Sequence, residues 1–210
     1  MWTNPWGEHT YFDDIEIRED GGTPGFLQAI RAALSIQLKE KMDVNKIHAR
    51  EQELIQKAAQ GLRSIEGLNI LGDNDLERIG VFSFFIAGVH HNLIVKLLND
   101  RFGIQVRGGC SCAGTYGHFL LNVDWDTSHR ITEKINKGDL SEKPGWVRLS
   151  IHPTMTDEEL EMIIDAIKQV SINAAEWAED YEYVLSKNEF FHKTEEKDIQ
   201  KEINSWFEVE

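Results

Sequence analysis

A glycine-rich segment, which runs from Arg107 to His118 with the sequence RGGCSCAGTYGH, constrains this chain more than any other stretch. It contains both cysteines of the chain, and it follows an apolar helical pattern that ends at Gly103. Glycine favours a helix end because it takes the left-handed backbone conformation without a Cβ clash. The apolar stretch 104–106 predicts a short strand that leads into the segment. A thiol-bearing loop at the end of a strand suits chemistry more than packing.

Charge and composition exclude several classes of protein. The chain has 22 basic and 36 acidic residues, a formal charge of −14, so a basic face for nucleic acid or anionic membrane is not expected. The longest apolar run, Ile79 to Val89, is too short to span a bilayer. The polar, acid-rich stretch 2–19 does not resemble a signal peptide. Two cysteines spaced C-x-C do not easily bridge each other, so we expect a cytoplasmic protein.

Hydrophobic periodicity predicts a small α/β layer of sheet that is covered by helices and preceded by a bent or broken pair of helices. Asp43 is a plausible cap between two helical patterns, and Thr156 with Glu159 forms a capping box that opens a further helix. The stretch after residue 184 is acidic and contains lysine and aromatic residues, which we interpret as an accessory helical tail. The predicted helices are 26–38, 44–65, 91–102 and one through Trp177, and the predicted strands are 68–71, 79–87 and 146–151.

A turn-rich stretch, Gly21-Gly22-Thr23-Pro24-Gly25, directly precedes the first long helical pattern. Free backbone N–H groups, a hydroxyl and the positive end of a helix together favour an anion or phosphate. The same residues are equally consistent with Thr23 as an ordinary helix cap and Pro24 in the first turn.

Three separated segments together resemble the C-terminal part of class V aminotransferases, the pyridoxal-phosphate group that includes cysteine desulfurases and selenocysteine lyases. They are Arg18 to Pro24, Gly103 to Gly114 (GIQVRGGCSCAG) and Gly145 to Ile167 (GWVRLSIHPTMTDEELEMIIDAI). The resemblance implies the small domain of a fold-type I transferase over residues 67–184, an α/β (α+β-like) domain with a short mixed sheet covered by helices. It also implies interdomain helices over 26–66, a remnant of the large cofactor-binding domain over 1–25, and a tail over 185–210.

The resemblance implies roles for individual residues. The desulfurase loop R-x-G-x-x-C-A matches from Arg107 onward and puts Cys112 at the nucleophile position, where a thiolate near an arginine is the reactive form. Arg148 stands where the family grips the α-carboxylate of an amino-acid substrate, and Arg107 is expected to help bind that substrate. This loop has Gly-Cys-Ser where desulfurases often have two histidines, so desulfurase, transaminase and lyase activities all stay open.

The cofactor contacts follow from the same resemblance. Gly22 and Thr23 match a turn that holds the phosphate of pyridoxal phosphate across a subunit interface, which implies a homodimer. No lysine of this chain stands in the family's Schiff-base motif, and His192-Lys193 is interpreted as part of a solvated helical face. We therefore expect a C-terminal fragment of a larger enzyme that is inactive alone.

Other readings of these residues are a zinc site and a non-catalytic interaction module. Cys110, Cys112 and His118 have donor atoms suitable for zinc, although the C-x-C spacing is narrower than usual. Cys112 could also be a small buried residue, and Arg148 could form a surface ion pair. Cys110 is either a resolving thiol or a packing residue.

Overall fold

The computed structural model describes residues 2–73, 78–110, 113–194 and 203–208. The chain divides into two compact units, Met1–Ile47 and His48–Glu210. The helices and strands are, in order, β1 (Trp2–Thr3), β2 (His9–Thr10), α1 (Ile15–Glu19), α2 (Phe26–Met42), α3 (Val44–Arg63), β3 (Leu68–Ile70), β4 (Val81–Ile86), α4 (His91–Phe102), β5 (Arg107–Gly109), α5 (Gly114–Leu120), α6 (Trp125–Asn136), β6 (Trp146–Ser150), α7 (Asp157–Trp177), β7 (Tyr181–Val184) and β8 (Glu189–His192).

The first unit contains an antiparallel pair, β1 and β2, followed by the helices α1 and α2. Asp14 caps α1 by accepting hydrogen bonds from the backbone N–H groups of Glu16 and Ile17, at 2.9 and 3.3 Å. No residue of α2 is buried, although much of its sequence is apolar. Asp43 ends α2, and its carboxylate accepts from the N–H of Asn45 at 3.0 Å, which confirms the predicted cap between the two long helices.

The second unit is built on a four-stranded sheet in the order β3-β4-β6-β5. Every neighbouring pair is antiparallel, so the predicted mixed sheet is wrong. The reason lies in the connection through α4: β4 and β5 run in the same direction, but β6 lies between them and pairs with both. The connection through α4 leaves room for one strand between β4 and β5. That place is taken by β6, which comes later in the chain.

One face of this sheet carries the hydrophobic core. Phe82 and Phe84 of β4 and Val147 of β6 are fully buried against α3, α4 and α7. On the other face, Trp146 is 5% exposed and packs against α5, where a Cβ on Gly117 would lie 3.2 Å from its ring. None of the helices in the described ranges has the length and apolar character that a bilayer span requires.

The helix α7 begins at the predicted capping box. The hydroxyl of Thr156 accepts from the N–H of Glu159 at 3.1 Å, and the carboxylate of Glu159 accepts from the N–H of Thr156 at 2.8 Å. These two hydrogen bonds satisfy donors that the helix start leaves free. The prediction of this helix and of its start is confirmed.

The C-terminal region is a hairpin of β7 and β8 where a helical tail was predicted, so that prediction is wrong for residues 189–192. The turn uses Asn188 at φ 56°, and the rings of Tyr183 and Phe190 lie 4.7 Å apart across the strands. Such aromatic cross-strand pairs stabilise a hairpin. His192 is therefore in a strand, so the helical part of the interpretation of His192-Lys193 is wrong. Lys193 is exposed, as expected, and its ammonium donates to the Glu179 carbonyl. Residues 195–202 and 209–210 of the tail lie outside the described part.

Candidate functional site

Two arginines lie directly opposite each other at the edge of the sheet. Arg107 of β5 and Arg148 of β6 are paired in the antiparallel register, so their side chains leave the same face. Residues paired in this way have Cβ atoms about 4.5–5.5 Å apart. Arg107, predicted to lie in a loop, is instead the first residue of a strand. The fold therefore brings together the two residues that the sequence marks for substrate binding.

This arrangement is electrostatically unfavourable without an anion. Like charges that face each other across two strands destabilise a sheet. Within the described residues, neither Arg107 nor Arg148 has a carboxylate within ion-pair distance. The Nε atom of Arg148 is also buried and has no hydrogen-bond partner there. A buried donor without a partner is costly, so this pair is suited to binding an anion.

Two glycines place β5 in this position. Gly103 ends α4 with φ 67°, and its N–H donates to the carbonyl of Asn99 at 2.9 Å. Gly108 faces α4, where a Cβ would lie 2.8 Å from Asn92 and 2.9 Å from Val95. A larger residue at position 108 would force either these two side chains or β5, which carries Arg107, to shift.

The cysteine segment follows β5 directly. Cys110 is half-buried and lines a cavity of about 170 Å³ together with His118 and Lys143, and Cys112 lies outside the described residues. The ring nitrogens of His118 hydrogen-bond to the carbonyl of Gly114 at 2.8 Å and to the hydroxyl of Ser128 at 2.9 Å. In the described ranges no three His, Cys, Asp or Glu side chains are close enough to hold a metal ion.

The glycine-threonine-proline turn lies in the first unit. Gly22 has φ 143°, which favours glycine, and a Cβ at Gly21 or Gly22 would meet no atom within 4 Å. The N-cap of α2 is Gly25, so the alternative with Thr23 as the cap and Pro24 in the first turn is wrong. No side chain caps this helix. The N–H of Phe26 donates to the carbonyl of Pro24 at 2.8 Å, so the N–H groups of Leu27 and Gln28 are the ones at this helix start that face an anion, as the phosphate interpretation requires.

Two histidines, the half-buried His90 and the buried His91, lie at the start of α4, behind β5. The rings of His90 and His91 stack with centroids 4.3 Å apart, and the ring of His90 also contacts Tyr183 and Phe190 of the hairpin. Burial lowers the pKa of His91 to about 4, with smaller contributions from the charges of His90 and Lys143. Burial also lowers the pKa of His90. Both rings are kept neutral by the fold.

The family model described as "Aminotransferase class-V" matches residues 1–163. The chain belongs to the class V aminotransferase family. Enzymes of this family generally depend on pyridoxal phosphate, and the match covers the arginine pair, the cysteine segment and the glycine-threonine-proline turn. The non-catalytic module and the zinc domain are thus less well supported than a class V aminotransferase.

Curated members of the class V family that match this chain include probable cysteine desulfurases of staphylococci. The protein of Staphylococcus epidermidis (strain ATCC 35984) is 35% identical over 100 residues, which cover 48% of this chain and 24% of that protein. The protein of Staphylococcus aureus (strain Mu50) is 30% identical over 156 residues, which cover 74% of this chain and 32% of that protein. The chain thus spans between a quarter and a third of the length of these relatives.

Solved structures of class V enzymes share the fold. The apo cysteine desulfurase of Thermococcus onnurineus NA1 matches 82% of this chain and 37% of its own with a TM-score of 0.58 and 24% identity. The cysteine desulfurase CsdA of Escherichia coli, with an S-sulfonic acid, matches 74% of this chain and 32% of its own with a TM-score of 0.52 and 20% identity. At these identities the likeness concerns the fold alone.

Sequence reasoning missed one polar residue beside the arginine pair of this class V chain. Ser83 of β4 is the register partner of Arg148 on the side away from Arg107. The signal was present in the sequence, because Ser83 stands between Phe82 and Phe84 in a strand where alternate residues face the core. Its position beside Arg148 depends on the pairing of β4 with β6, which the sequence does not show.

Proposed function

We propose that this chain is the C-terminal small domain of a pyridoxal-phosphate-dependent class V enzyme and binds the α-carboxylate of an amino-acid substrate. The observation that supports this most directly is the Arg107–Arg148 pair, with its buried Nε and no carboxylate partner among the described residues. In this proposal the domain of residues 67–184 carries the site, and the helices of residues 26–66 precede it.

Arg148 is the principal carboxylate ligand. A guanidinium offers two parallel N–H donors that match the two oxygens of a carboxylate, which fixes the orientation of the substrate as well as its position. Arg107 is exposed and adds a second positive charge on the same face. Binding of a carboxylate relieves the repulsion between the two arginines and satisfies the buried donor, so the site is prepared for a ligand before the ligand arrives.

Gly22 and Thr23 fit the phosphate of the cofactor. The start of α2, which no side chain caps, provides the N–H donors of Leu27 and Gln28, and the Thr23 hydroxyl adds another. Bound pyridoxal phosphate supplies an electron sink for chemistry at the substrate Cα. We propose that this turn serves the cofactor of a neighbouring subunit in a homodimer. Gel filtration that gives a monomer at all protein concentrations for the intact enzyme would contradict the dimer.

We also propose that this chain alone is not a complete catalyst. None of its lysines matches the position of the family's Schiff-base lysine, and Lys193 is engaged with the carbonyl of Glu179. Amino-acid turnover by the purified chain with pyridoxal phosphate as the only addition would show this proposal to be wrong.

The carboxylate site can be tested by the response of the isotope-labelled chain to L-alanine and to L-alaninamide. The two compounds share the ammonium group and the side chain, and only L-alanine has a carboxylate. We expect L-alanine to shift the backbone amide signals of β5 and β6 in a saturable way and L-alaninamide to leave them unchanged. Equal shifts with both compounds, or a response that is unchanged in Arg148→Gln, would contradict the proposal.

Cys112 is the proposed nucleophile for a desulfurase reaction at this site. A thiolate accepts sulfur from the substrate, whereas a methyl group does not. Sulfide release from L-cysteine by the holoenzyme, measured with a reductant present, is therefore expected to fall to background in Cys112→Ala. Cys110→Ala is the matched control, because it removes the other thiol, and is expected to keep most of the activity. Release that survives Cys112→Ala removes the assignment.

A further inference from the structure

A second cavity lies in the same unit, with a volume of about 280 Å³. Leu71, Val81 and Leu120 give it aliphatic walls, and Ser83 and Tyr116 add the polar groups that the argument below uses. Arg78 also lies on the wall, but its guanidinium donates to the carbonyl of Gly72 at 2.6 Å and lies over the ring of Phe82. Arg78 therefore closes the cavity and is already engaged by the protein.

Ser83 connects this cavity to the arginine pair. It lines the cavity from β4, and it is the register partner of Arg148, which in turn is the partner of Arg107. The three side chains form one row across the same face of the sheet, with neighbouring Cβ atoms about 4.5–5.5 Å apart. A substrate whose carboxylate binds Arg148 is thus held on the face of the sheet from which Ser83 lines the cavity.

The size and chemistry of the cavity indicate which side chains it takes. A water molecule occupies about 30 Å³ in the liquid, so the cavity has room for on the order of nine water-sized groups. The side chain of cysteine, a methylene and a sulfur, fills only a small part of that volume. Aliphatic walls with two hydroxyl groups suit an uncharged side chain, because a charged one would lose its hydration and the charged residue of the wall, Arg78, already donates to the carbonyl of Gly72.

We propose that this cavity receives the side chain of the substrate and favours L-amino acids whose side chain is uncharged and longer than that of cysteine. Ser83 is the specificity-determining residue, since it stands between the carboxylate site and the cavity. The inference rests on the proposed function, because the carboxylate on Arg148 is what directs the side chain toward Ser83. Tyr116 forms part of the wall from α5, where it is 59% exposed and can be replaced with little effect on the core.

The test compares the affinities of L-alanine, L-cysteine and L-methionine for the isotope-labelled chain, measured by the shifts of its backbone amide signals. We expect L-methionine to bind roughly tenfold more tightly than L-alanine, because it buries additional apolar groups. Ser83→Leu fills the entrance and is expected to remove the preference for L-methionine over L-alanine. Tyr116→Ala removes one wall and is expected to reduce the preference, and it provides a second variant if Ser83→Leu does not fold.

Ser150→Leu is the matched control. Ser150 pairs with Val81, lies on the same face and is exposed, but it does not line the cavity, so the preference for L-methionine is expected to persist. Equal affinity for all three amino acids, or a preference that survives both Ser83→Leu and Tyr116→Ala, overturns this inference. If Arg148→Gln still weakens the binding of all three amino acids, the proposed function stands without this inference about the cavity. Binding that does not depend on Arg148, or no binding at all, overturns both.

Discussion

Arg148→Gln is expected to lower kcat/KM of the holoenzyme for its amino-acid substrate by roughly 100-fold to 10,000-fold. A hydrogen bond to a charged group contributes about 1.5–3 kcal/mol, and the bidentate pair with a carboxylate has two of them. Each 1.36 kcal/mol corresponds to about a factor of ten in rate. Arg148→Lys keeps the charge but lacks the two-point geometry, so an intermediate loss is expected. Steady-state kinetics with saturating cofactor measures both variants.

A stability measurement separates binding from folding in this experiment. Arg148→Gln removes the charge that faces Arg107 and the buried Nε without a partner, so the free energy of unfolding of the unliganded chain is expected to stay equal or to rise. Arg101→Gln is the control, because Arg101 pairs with Asp180 at 2.9 Å and lies over Trp177, away from this row. Activity of Arg148→Gln within threefold of the parent would show that Arg148 does not hold the substrate.

Acid is expected to destabilise the folded chain by roughly 3 kcal/mol between pH 6.5 and pH 4 through His91 alone. Burial lowers the pKa of His91 from 6.5 to about 4, so the unfolded chain binds a proton in this range that the folded chain does not. The stability that the neutral ring of His91 gives the folded chain is fully present above pH 6.5. It is lost as the pH falls toward 4, at about 1.4 kcal/mol for each pH unit. His90 acts in the same direction, because burial lowers its pKa as well. Urea unfolding at a series of pH values measures the slope.

The geometry around His91 explains why the ring does not simply move into water. A Cβ on Gly145 would lie 2.6–2.8 Å from three atoms of the ring, and a Cβ on Gly108 would lie 3.5 Å from a fourth, so the backbone closes around it. The ring of His90 covers one face. His91→Gln and His91→Phe are expected to flatten the dependence of the free energy of unfolding on pH, whatever their stability at pH 7. The reason is that neither glutamine nor phenylalanine titrates in this range. A slope as steep as that of the parent in both variants would show that His91 is not responsible.

The strands and helices of the second unit could largely be predicted from the sequence, because each has a strong local signal. The helix at 91–102, the capping box at Thr156 and the strand that begins at Trp146 all depend on residues close together in the chain. The hairpin at 181–192 was missed because its aromatic residues form a strand only when a partner strand lies beside them. The helices α5 and α6, between the cysteine segment and β6, were not predicted at all.

The sequence by itself determined the chemical inventory of this protein: the motifs of the class V family, the two cysteines, and the arginines at 107 and 148. The roles of Cys112, Arg107, Arg148, Gly22 and Thr23 stay predictions that the experiments above test. Only the tertiary structure decided that β6 enters between β4 and β5, and so that Ser83, Arg148 and Arg107 form one row. Strand order and register are set by which faces pack on α3, α4 and α7, a long-range property that no short stretch of the chain encodes.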